Sequence, residues 1–414
     1  MSQPQPVRGT HDLLPEDFAR HAHVQNMARE VAARFGYAEM ATPIFEFTEV
    51  FARTMGESSD VVSKEMYSFE SRGGESMTLR PEYTAGICRS FISNGLQQQV
   101  PFKVFATGPM FRYERPQKGR QRQFHQIDVE CIGAAEPQAD IEVISLGAAI
   151  LKALGILDKC SLEINTLGDQ ESRQAYRAVL VEYFSDHKDS LSKDSLDRLE
   201  RNPLRILDSK DAGDRALVEK APLFTDYLNS FSSDFFAEVL DGLSLLKIGY
   251  HLNRRLVRGL DYYTHTAFEF VTTELGAQGA VIAGGRYDGL IEALGGKSTP
   301  GIGWAGGVER LAMLATGAIK EVRPIAIIPI GDAAETAAQK LAYSLRQDGH
   351  AIEMAFKGNL SKRMKRANKL NARAAILIGE DELARDACTF RDLDKGEQKE
   401  VPLASLGSAL AALG

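Results

Sequence analysis

The chain has 414 residues, of which 44% are hydrophobic and 25% are charged, and this length allows two or three domains with a large buried core. Such proportions are those of an ordinary globular protein and exclude a disordered chain or a disulfide-stapled peptide. No uncharged segment approaches the roughly 20 residues that a membrane-spanning helix needs, and the first residues lack the apolar core of a signal peptide. We therefore expect a cytoplasmic protein with no membrane partner.

The cysteine spacing and the charge balance exclude further classes of protein. The four cysteines are widely spaced without a CxxC pair, so the sequence predicts neither a disulfide framework nor a structural metal held by the protein. The formal net charge of −7 argues mildly against a chain that coats itself with nucleic acid. Residues 323–414 differ, since they hold 14 basic and 12 acidic residues. This shift predicts a separate C-terminal unit.

Residues 1–322 are predicted to form an α+β domain built on an antiparallel sheet. Amphipathic helical patterns over 17–35 and 81–94 are mixed with alternating strand patterns such as 103–114 and 124–133. Between about 168 and 235 the pattern becomes wholly helical and strongly charged. We interpret that stretch as a helical insertion within the domain.

The segment MTLRPEYTAG, at 77–86, leads into one of these helices. Pro81 suits the first position of a helix, which would place Glu82 in the first turn, where the helix dipole favours a carboxylate. Alternatively, Glu82 and Thr84 are held at a strand-to-helix junction and offer acceptors to the ammonium group of a ligand. The residues alone leave both interpretations open.

A hairpin with a long basic tip is predicted over 104–132. In its second strand the two-residue period places Gln126, Asp128 and Glu130 on one face and apolar residues on the other. One explanation is a half-exposed sheet whose polar face meets water. The connecting loop favours a nucleotide site instead, because guanidinium groups suit bidentate phosphate recognition. Its cations are Arg112, Arg115, Lys118, Arg120 and Arg122.

Two later segments are rich in tyrosine or glycine. RGLDYY, at 258–263, places Arg258 before an abrupt turn, and its two tyrosines are either ligand contacts or core aromatics. The segment 281–307 is dense in glycine, which lets a backbone approach a ligand or another strand closely. Neither segment has the spacing of a GxGxxG or GxxxxGK[ST] loop, so a nucleotide here must be held by a sheet with arginines.

After Pro324, apolar runs alternate with helical patterns, which predicts an α/β domain with a largely parallel sheet. A predicted helix over 361–371 carries five cations with no acidic residue near them in sequence. They are Lys362, Arg363, Lys365, Arg366 and Lys369. This face is either a solvated surface or a patch that meets phosphates.

Eight segments, in order, resemble the class II aminoacyl-tRNA synthetases and most closely their histidyl branch. They are RGTHDLLP (8–15), TPIFEFTEVFARTMGESSDVV (42–62), TLRPEYTAG (78–86), GPMFRYERPQKGRQRQFHQ (108–126), NPLRILDSK (202–210), LVRGLDYYTHTAFEF (256–270), AGGRYDGL (283–290) and GGVERL (306–311). The resemblance covers nearly the whole chain. It implies a six-stranded antiparallel catalytic sheet with flanking helices in domain 1–322, a helical insertion at about 168–235, and an anticodon-binding α/β domain at 323–414.

The resemblance also implies a reaction and its partners. L-histidine and ATP, with Mg²⁺ expected, would give histidyl-adenylate, and histidine would then pass to the 3′ end of tRNA(His). The segment that follows Pro43 resembles the family's first motif and implies a homodimer. The alternative is a catalytically inactive paralogue that serves as the histidine-sensing regulatory subunit of ATP phosphoribosyltransferase. The retained Arg112, Arg258, Gln126 and Arg310 and the C-terminal domain oppose that alternative.

Roles for single residues follow from the same resemblance. Arg112 and Arg258 are the expected catalytic residues at the α-phosphate, and Arg120 and Arg310 complete the ATP-binding set. The expected histidine-binding residues are Glu82, Thr84 and Gln126 at the ammonium group, and Glu130, Tyr262 and Tyr263 at the imidazole. No protein residue is implied as a metal ligand. His11 and His125 are then structural, because adenylation depends on positioning and phosphate neutralisation more than on an acid or base.

Glu130 gives this expected pocket its selectivity. A buried acceptor for a ring N–H discriminates roughly 10⁴-fold against amino acids that leave it without a hydrogen-bond donor. Two positions depart from the common family pattern. Tyr83 stands where many members have glycine, and His265 stands where arginine is common after the tyrosine pair.

Overall fold

The computed structural model describes residues 3–56, 61–117, 119–257, 262–276, 279–316 and 322–413. The chain divides into two compact units, residues 1–318 and 319–414. In the described residues, no helix has the length and apolar character needed to cross a membrane.

The first unit mixes helices and strands along its whole length. Its described helices are α1 (Pro15–Arg34), α2 (Thr48–Met55), α3 (Thr84–Ser93), α4 (Pro137–Ala153), α5 (Gln170–Ser185), α6 (Lys193–Arg201), α7 (Ala212–Val218), α8 (Ser230–Leu245), α9 (Leu290–Ala293) and α10 (Val308–Leu314). Its described strands are β1 (Ala38–Glu39), β2 (Phe45–Phe47), β3 (Tyr67–Glu70), β4 (Ser76–Leu79), β5 (Phe102–Phe111), β6 (Gln123–Ile132), β7 (Ser161–Thr166), β8 (His251–Leu252), β9 (Thr264–Val271), β10 (Ala280–Arg286) and β11 (Gly301–Gly307).

The main sheet of this unit has the strand order β1-β5-β6-β11-β10-β9-β7-β8 within the described ranges. Its six inner strands, from β5 to β7, pair antiparallel, while β1 and β8 pair parallel at the two edges. This arrangement confirms the predicted α+β class with an antiparallel sheet. A separate three-stranded sheet of the same unit has the order β2-β4-β3.

The two faces of β6 have different neighbours, as the two-residue period predicts. Ile127, Val129 and Cys131 enter a large core shared with α1, α4 and α8, to which Val24, Val143 and Val239 contribute. The opposite face belongs to a second core, in which Ile87 and Phe91 of α3 lie near Val104 and Ala106 of β5. The polar residues of β6 are therefore covered and do not face bulk water, which excludes the half-exposed sheet.

Helix α3 begins at Thr84, so the prediction that Pro81 opens this helix and that Glu82 lies in its first turn is wrong. The carbonyl of Pro81 accepts a hydrogen bond from Nε of Arg112 at 2.8 Å. Oε1 of Glu82 accepts the backbone N–H of Ala85 at 3.0 Å. Glu82 thus stabilises the first turn from outside the helix, at the junction that leads from β4 to α3.

The helices between β7 and β8 form a partly independent layer. Tyr176, Leu180 and Phe184 of α5 pack against Leu199 and Ile206 in a small core of their own. Helix α8 instead joins the main core through Phe235 and Val239. The helical stretch observed here thus extends to Leu245, past the predicted end near residue 235.

The second unit is a three-layer α/β structure. Its described elements are β12 (Ile325–Pro329), α11 (Asp332–Gln347), β13 (Ile352–Met354), α12 (Leu360–Lys369), β14 (Ala374–Ile378), α13 (Glu380–Ala384), β15 (Ala387–Asp392), β16 (Gln398–Pro402) and α14 (Leu406–Ala411). The sheet order within 322–413 is β13-β12-β14-β15-β16, parallel over the first three strands and antiparallel over the last two. Helices α11 and α12 pack on opposite faces of this sheet, since Ala338 lies with Ile327 and Ala367 with Ile328.

Candidate active site

The polar face of β6, together with its two neighbouring strands, forms the part of the main sheet that we call the trough. Gln126, Asp128 and Glu130 form its floor, and the neighbouring strands place small residues beside them. These pairs are Gln126 with Gly108 and Gly307, Asp128 with Ala106 and Ala305, and Glu130 with Gly303. A Cβ atom at Gly303 would collide with the Glu130 carboxylate, so glycine is required there. Small neighbours flank Gln126 and Asp128 on both sides and Glu130 on one side, so no bulky side chain of these strands replaces the three polar groups.

Glu130 is the most enclosed acceptor of this floor, with no exposed surface. Its Oε1 accepts the Thr84 hydroxyl at 2.5 Å and its Oε2 accepts the Tyr287 hydroxyl at 2.5 Å. Burial raises the pKa of Glu130 to about 8, and the two hydrogen bonds oppose a larger rise. Two donors thus fix a buried carboxyl group in one orientation, where it can accept an N–H from a planar ring.

Several oxygens of the floor have no hydrogen-bond partner among the described residues. They are Oε2 of Glu82, Oε1 of Gln126 and both carboxylate oxygens of Asp128. Burial raises the pKa of Glu82 and raises that of Asp128 well above its usual range, with nearby carboxylates adding to the shift of Asp128. Buried acceptors without donors are costly, so this arrangement favours a ligand that brings several N–H donors and a positive charge.

Tyr262 and Tyr263 stand at one side of the trough. Their ring centroids are 4.5 Å apart, and the ring of Tyr262 lies 6.0 Å from that of Tyr287. The carbonyl of Tyr263 accepts a hydrogen bond from Nη1 of Arg173 at 2.7 Å. Burial raises the pKa of Tyr262 well above its usual value, so this phenol stays protonated. Tyr262 and Tyr263 therefore pack in the core and also line one side of the trough.

Three of the four predicted arginines gather near the basic loop. Nε of Arg112 is held by Pro81, Arg120 forms an ion pair with Glu114, and Nη1 of Arg310 donates to the Ala280 carbonyl at 2.7 Å. Burial lowers the pKa of Arg310, and the positive charges of Arg120 and Arg112 lower it further. Three close cations repel each other, so the cluster fits a polyanion such as a polyphosphate. The fourth, Arg258, lies outside the described residues.

Two residues missed by the sequence-based prediction complete the floor. Tyr287 orients Glu130, and Asp128 supplies two of the four unpartnered oxygens. Asp128 could have been found, because the two-residue period already placed it between Gln126 and Glu130. Tyr287 could not, since nothing in its own segment indicates that a distant strand brings it to Glu130.

Other motif residues prove to be structural. Arg286 is buried and pairs with Asp140, with Nε at 3.0 Å from Oδ2. Tyr83 is also buried, and its hydroxyl donates to the Thr107 carbonyl at 2.8 Å. The ring of His265 packs at 4.8 Å from that of Phe235. The two family departures therefore lie in packed surroundings.

One set of side chains has the composition of a metal site. Donor atoms of His21, His125 and Glu309 all lie within 4.8 Å of one another. Two imidazoles and one carboxylate suit zinc and not Mg²⁺, which prefers oxygen ligands. Nδ1 of His125 and Oε1 of Glu309 are 2.9 Å apart and already satisfy each other.

The cations of α12 differ from the sequence-based expectation. Arg363 is buried, and its Nη2 lies 2.5 Å from Oε1 of Glu335, while Nε of Arg366 lies 2.5 Å from Oε1 of Glu353. No acidic residue lies near these two arginines in the sequence, but in the fold α11 and β13 bring Glu335 and Glu353 to them, so neither arginine belongs to a free cationic face. The three lysines of α12 stay exposed.

Comparison with known proteins identifies the relatives of this chain. The family model described as histidyl-tRNA synthetase matches residues 9–311, and an anticodon binding domain matches residues 324–413. The histidine–tRNA ligase of Rhodospirillum rubrum is 61% identical over 412 residues, which cover 99% of both chains. That of Gluconacetobacter diazotrophicus is 57% identical over the full length of both chains.

A solved structure agrees with these sequence matches. The apo histidyl-tRNA synthetase of S. aureus superposes with a TM-score of 0.84 at 35% identity, covering 98% of this chain and 99% of the other. The match extends through both units, and the trough with its arginine cluster lies inside the matched catalytic region. The chain belongs to the histidyl-tRNA synthetase family.

Proposed function

We propose that this chain is a histidine–tRNA ligase that joins L-histidine to tRNA(His) in two steps at the trough of the main sheet. The observation that carries the proposal is Glu130, a fully buried acceptor fixed by Thr84 and Tyr287 beside other acceptors that lack donors. A substrate with a ring N–H and an ammonium group supplies those donors.

The amino acid occupies the trough lengthwise in this proposal. Its imidazole N–H donates to Glu130, with Tyr262 and Tyr263 against the ring. Its ammonium group donates to Glu82 and Gln126, with Thr84 close by on α3. An amino acid without the ring N–H would lose this hydrogen bond and leave Glu130 with only its donors Thr84 and Tyr287, so we expect discrimination against it of up to roughly 10⁴-fold.

The arginine cluster holds ATP. Arg112 and Arg258 neutralise the α-phosphate while Arg120 and Arg310 hold the rest of the triphosphate. A carboxylate oxygen of histidine attacks the α-phosphorus, so that a new P–O bond forms and the bond to pyrophosphate breaks. Mg²⁺ enters as part of the nucleotide substrate. Fixed cations stabilise the charge that develops at the phosphorus, which is how such transfers are accelerated.

In the second step a terminal hydroxyl of tRNA(His) attacks the acyl carbon of the adenylate, so that an ester bond forms at the 3′ end, the acyl–phosphate bond breaks and AMP leaves. The unit that matches the anticodon binding domain supplies a second contact with the tRNA. We place this reaction in the cytoplasm, where the described thiols of Cys88, Cys131, Cys160 and Cys388 would stay reduced, as they are in the structure.

A homodimer is part of the proposal. The small sheet β2-β4-β3 exposes Phe45, Phe47 and Phe69, and the rings of Phe45 and Phe69 lie 6.4 Å apart. Adjacent exposed aromatic side chains mark a contact surface better than single ones do. A second copy of the chain is the occupant that the first-motif resemblance of this segment supports.

The regulatory-paralogue alternative is not favoured. Identities of 57% and 61% to histidine–tRNA ligases extend over the whole chain, including the C-terminal unit. Arg112, Gln126 and Arg310 also keep positions that suit substrates.

Substitution of the α-phosphate arginines should separate adenylate formation from tRNA binding. Arg112→Ala and Arg258→Ala should each abolish single-turnover adenylate formation and leave tRNA binding within about twofold of the parent value. Arg20→Ala, on the exposed side of α1, is the matched control and should retain adenylation. Adenylate formation at the parent rate in Arg258→Ala would contradict the role given to this arginine.

A further inference from the structure

Phe356 is an aromatic side chain in nearly complete contact with water. It lies in the turn between β13 and α12 and is 95% exposed. A single exposed apolar side chain is common on protein surfaces and carries no argument by itself. The surroundings of Phe356 do carry one.

Lysines lie in the same turn as Phe356 and on the helix α12 that follows it. Lys357 follows Phe356 directly, and a Cβ atom at Gly358 would stand 3.2 Å from Cβ of Lys362, so the first turn of α12 lies against the turn that holds Phe356. Lys365 and Lys369 continue along α12 from Lys362 at helical spacing. All four lysines are exposed, and within residues 322–413 no carboxylate is close enough to pair with their ammonium groups, although Arg366 beside them is paired.

The position in the fold agrees with ligand binding. Strands β12, β13 and β14 are parallel, and the turn with Phe356 follows the carboxyl end of β13. Ligands of open α/β sheets bind outside the carboxyl ends of the strands. Phe356 therefore occupies the edge of the second unit where a partner is expected.

An exposed ring beside unpaired lysines fits a single strand of RNA. An unpaired base offers a flat face that stacks on an aromatic ring, and its flanking phosphates meet the lysines. A duplex would hide its base faces, and an acidic protein would use the lysines but gain little from the ring. Residues 324–413 match an anticodon binding domain, and the anticodon loop of a tRNA contains such unpaired bases.

We propose that Phe356 is a stacking platform for an unpaired base of the anticodon loop, with Lys357 and Lys362 on the flanking phosphates. This inference rests on the proposed function, because it takes tRNA as the partner. In this proposal the base is bound through the face of the Phe356 ring and not through a hydrogen bond to the edge of the base.

Three substitutions of Phe356 in the full-length protein test the proposal. Phe356→Leu keeps an apolar side chain and removes the ring, Phe356→Ala removes both, and Phe356→Trp keeps a stacking surface. We expect tRNA(His) to bind about 5- to 100-fold more weakly to the Leu and Ala variants and within about twofold of the parent to the Trp variant. Tyr343→Ala removes an exposed aromatic ring from α11, on the opposite face of the sheet, and should leave binding unchanged.

A spectroscopic measurement reports the stack directly. 2-Aminopurine placed at successive anticodon-loop positions of the tRNA should be quenched at one position on binding the parent and regain fluorescence with Phe356→Leu. The lysines have a separate signature, since Lys362→Ala should reduce the salt dependence of binding by about one phosphate contact.

The outcomes separate this inference from the proposed function. Parent-like affinity in the Leu and Ala variants would overturn it, as would a loss of affinity in Ala that Leu restores, because an apolar contact would then suffice. A changed sedimentation coefficient with unchanged tRNA affinity would overturn it in favour of a protein contact. Each variant should keep histidine-dependent pyrophosphate exchange, whereas a parent protein without exchange would contradict the proposed function itself.

Discussion

The carboxylate of Glu309 closes the end of β6 by binding His125. Its two oxygens accept the backbone N–H of His125 at 2.9 and 3.0 Å, and Oε1 also lies 2.9 Å from Nδ1 of the same residue. Strand β11 pairs with β6 as far as Gly307, opposite Gln126, so the next N–H of β6 needs another acceptor. Glu309 provides it from the first turn of α10, directly before Arg310.

This link predicts that Glu309 positions Arg310 for ATP. Glu309→Ala leaves the His125 N–H without its acceptor, a loss of about 1–3 kcal/mol. We expect the KM for ATP in pyrophosphate exchange to rise by up to about tenfold, while Glu309→Gln, which keeps an amide oxygen, stays within about threefold. Glu292→Ala, an exposed glutamate of α9, is the control. An unchanged KM in Glu309→Ala, with only a lower urea midpoint, would leave Glu309 a purely structural role.

Glu130 predicts a pH dependence of stability. Its folded pKa of about 8 lies above its ordinary value of 4.5, so the folded protein keeps a proton that the unfolded chain releases. The free energy of unfolding contributed by this group therefore falls as the pH rises from about 4.5 to 8, by up to ~1.4 kcal/mol per pH unit, and levels off above 8.

The slope can be isolated by substitution. Glu130→Gln cannot titrate, so urea unfolding measured between pH 5 and 9 should show a shallower decline than in the parent, by about one proton. Glu238→Gln on the exposed side of α8 should keep the parental slope. Parallel curves for Glu130→Gln and the parent would contradict the pKa assigned to this carboxyl group.

The buried pair of Arg286 and Asp140 predicts a large loss of stability when one partner is removed. Asp140→Ala removes the fully buried carboxylate that faces the Arg286 guanidinium and leaves it with Asp288 and two backbone carbonyls, which costs up to about 3–5 kcal/mol of unfolding free energy. Removal of the exposed pair of Arg20 and Glu16 by Arg20→Ala should cost less than about 1 kcal/mol. Equal losses in urea unfolding would show that Arg286 is not held as described.

The exposed aromatics of the small sheet predict a dimer contact. Phe47→Asp and Phe69→Asp place a charge in an apolar interface, so sedimentation velocity should show monomers at concentrations where the parent is a dimer. Phe18→Asp, on the exposed side of α1, should sediment like the parent. Unchanged sedimentation of both interface variants would place the contact elsewhere.

The sequence predicted the local geometry of the site better than its long-range contacts. The two-residue period on β6 correctly separated Gln126, Asp128 and Glu130 from the core residues, because strand alternation is a local property. The class of fold followed from the order of strand and helix patterns and from the family resemblance.

What the sequence could not predict depends on distant partners. Glu335 and Glu353 neutralise two arginines of α12, and Tyr287 reaches Glu130, although each pair is separated along the chain. The start of α3 was misplaced because the Pro81 carbonyl binds the distant Arg112 and the Glu82 carboxylate accepts the Ala85 N–H from outside the helix, which the preference of proline for a first helical turn does not indicate. Such contacts follow from the fold and not from local pattern.

We propose that the trough activates histidine with ATP. The most direct test measures ATP–pyrophosphate exchange by the purified protein, with Mg²⁺ and each of the twenty amino acids supplied singly. We expect exchange with histidine and none above background with the other nineteen. Folded protein that shows no exchange with histidine, or equal exchange with another amino acid, would contradict it.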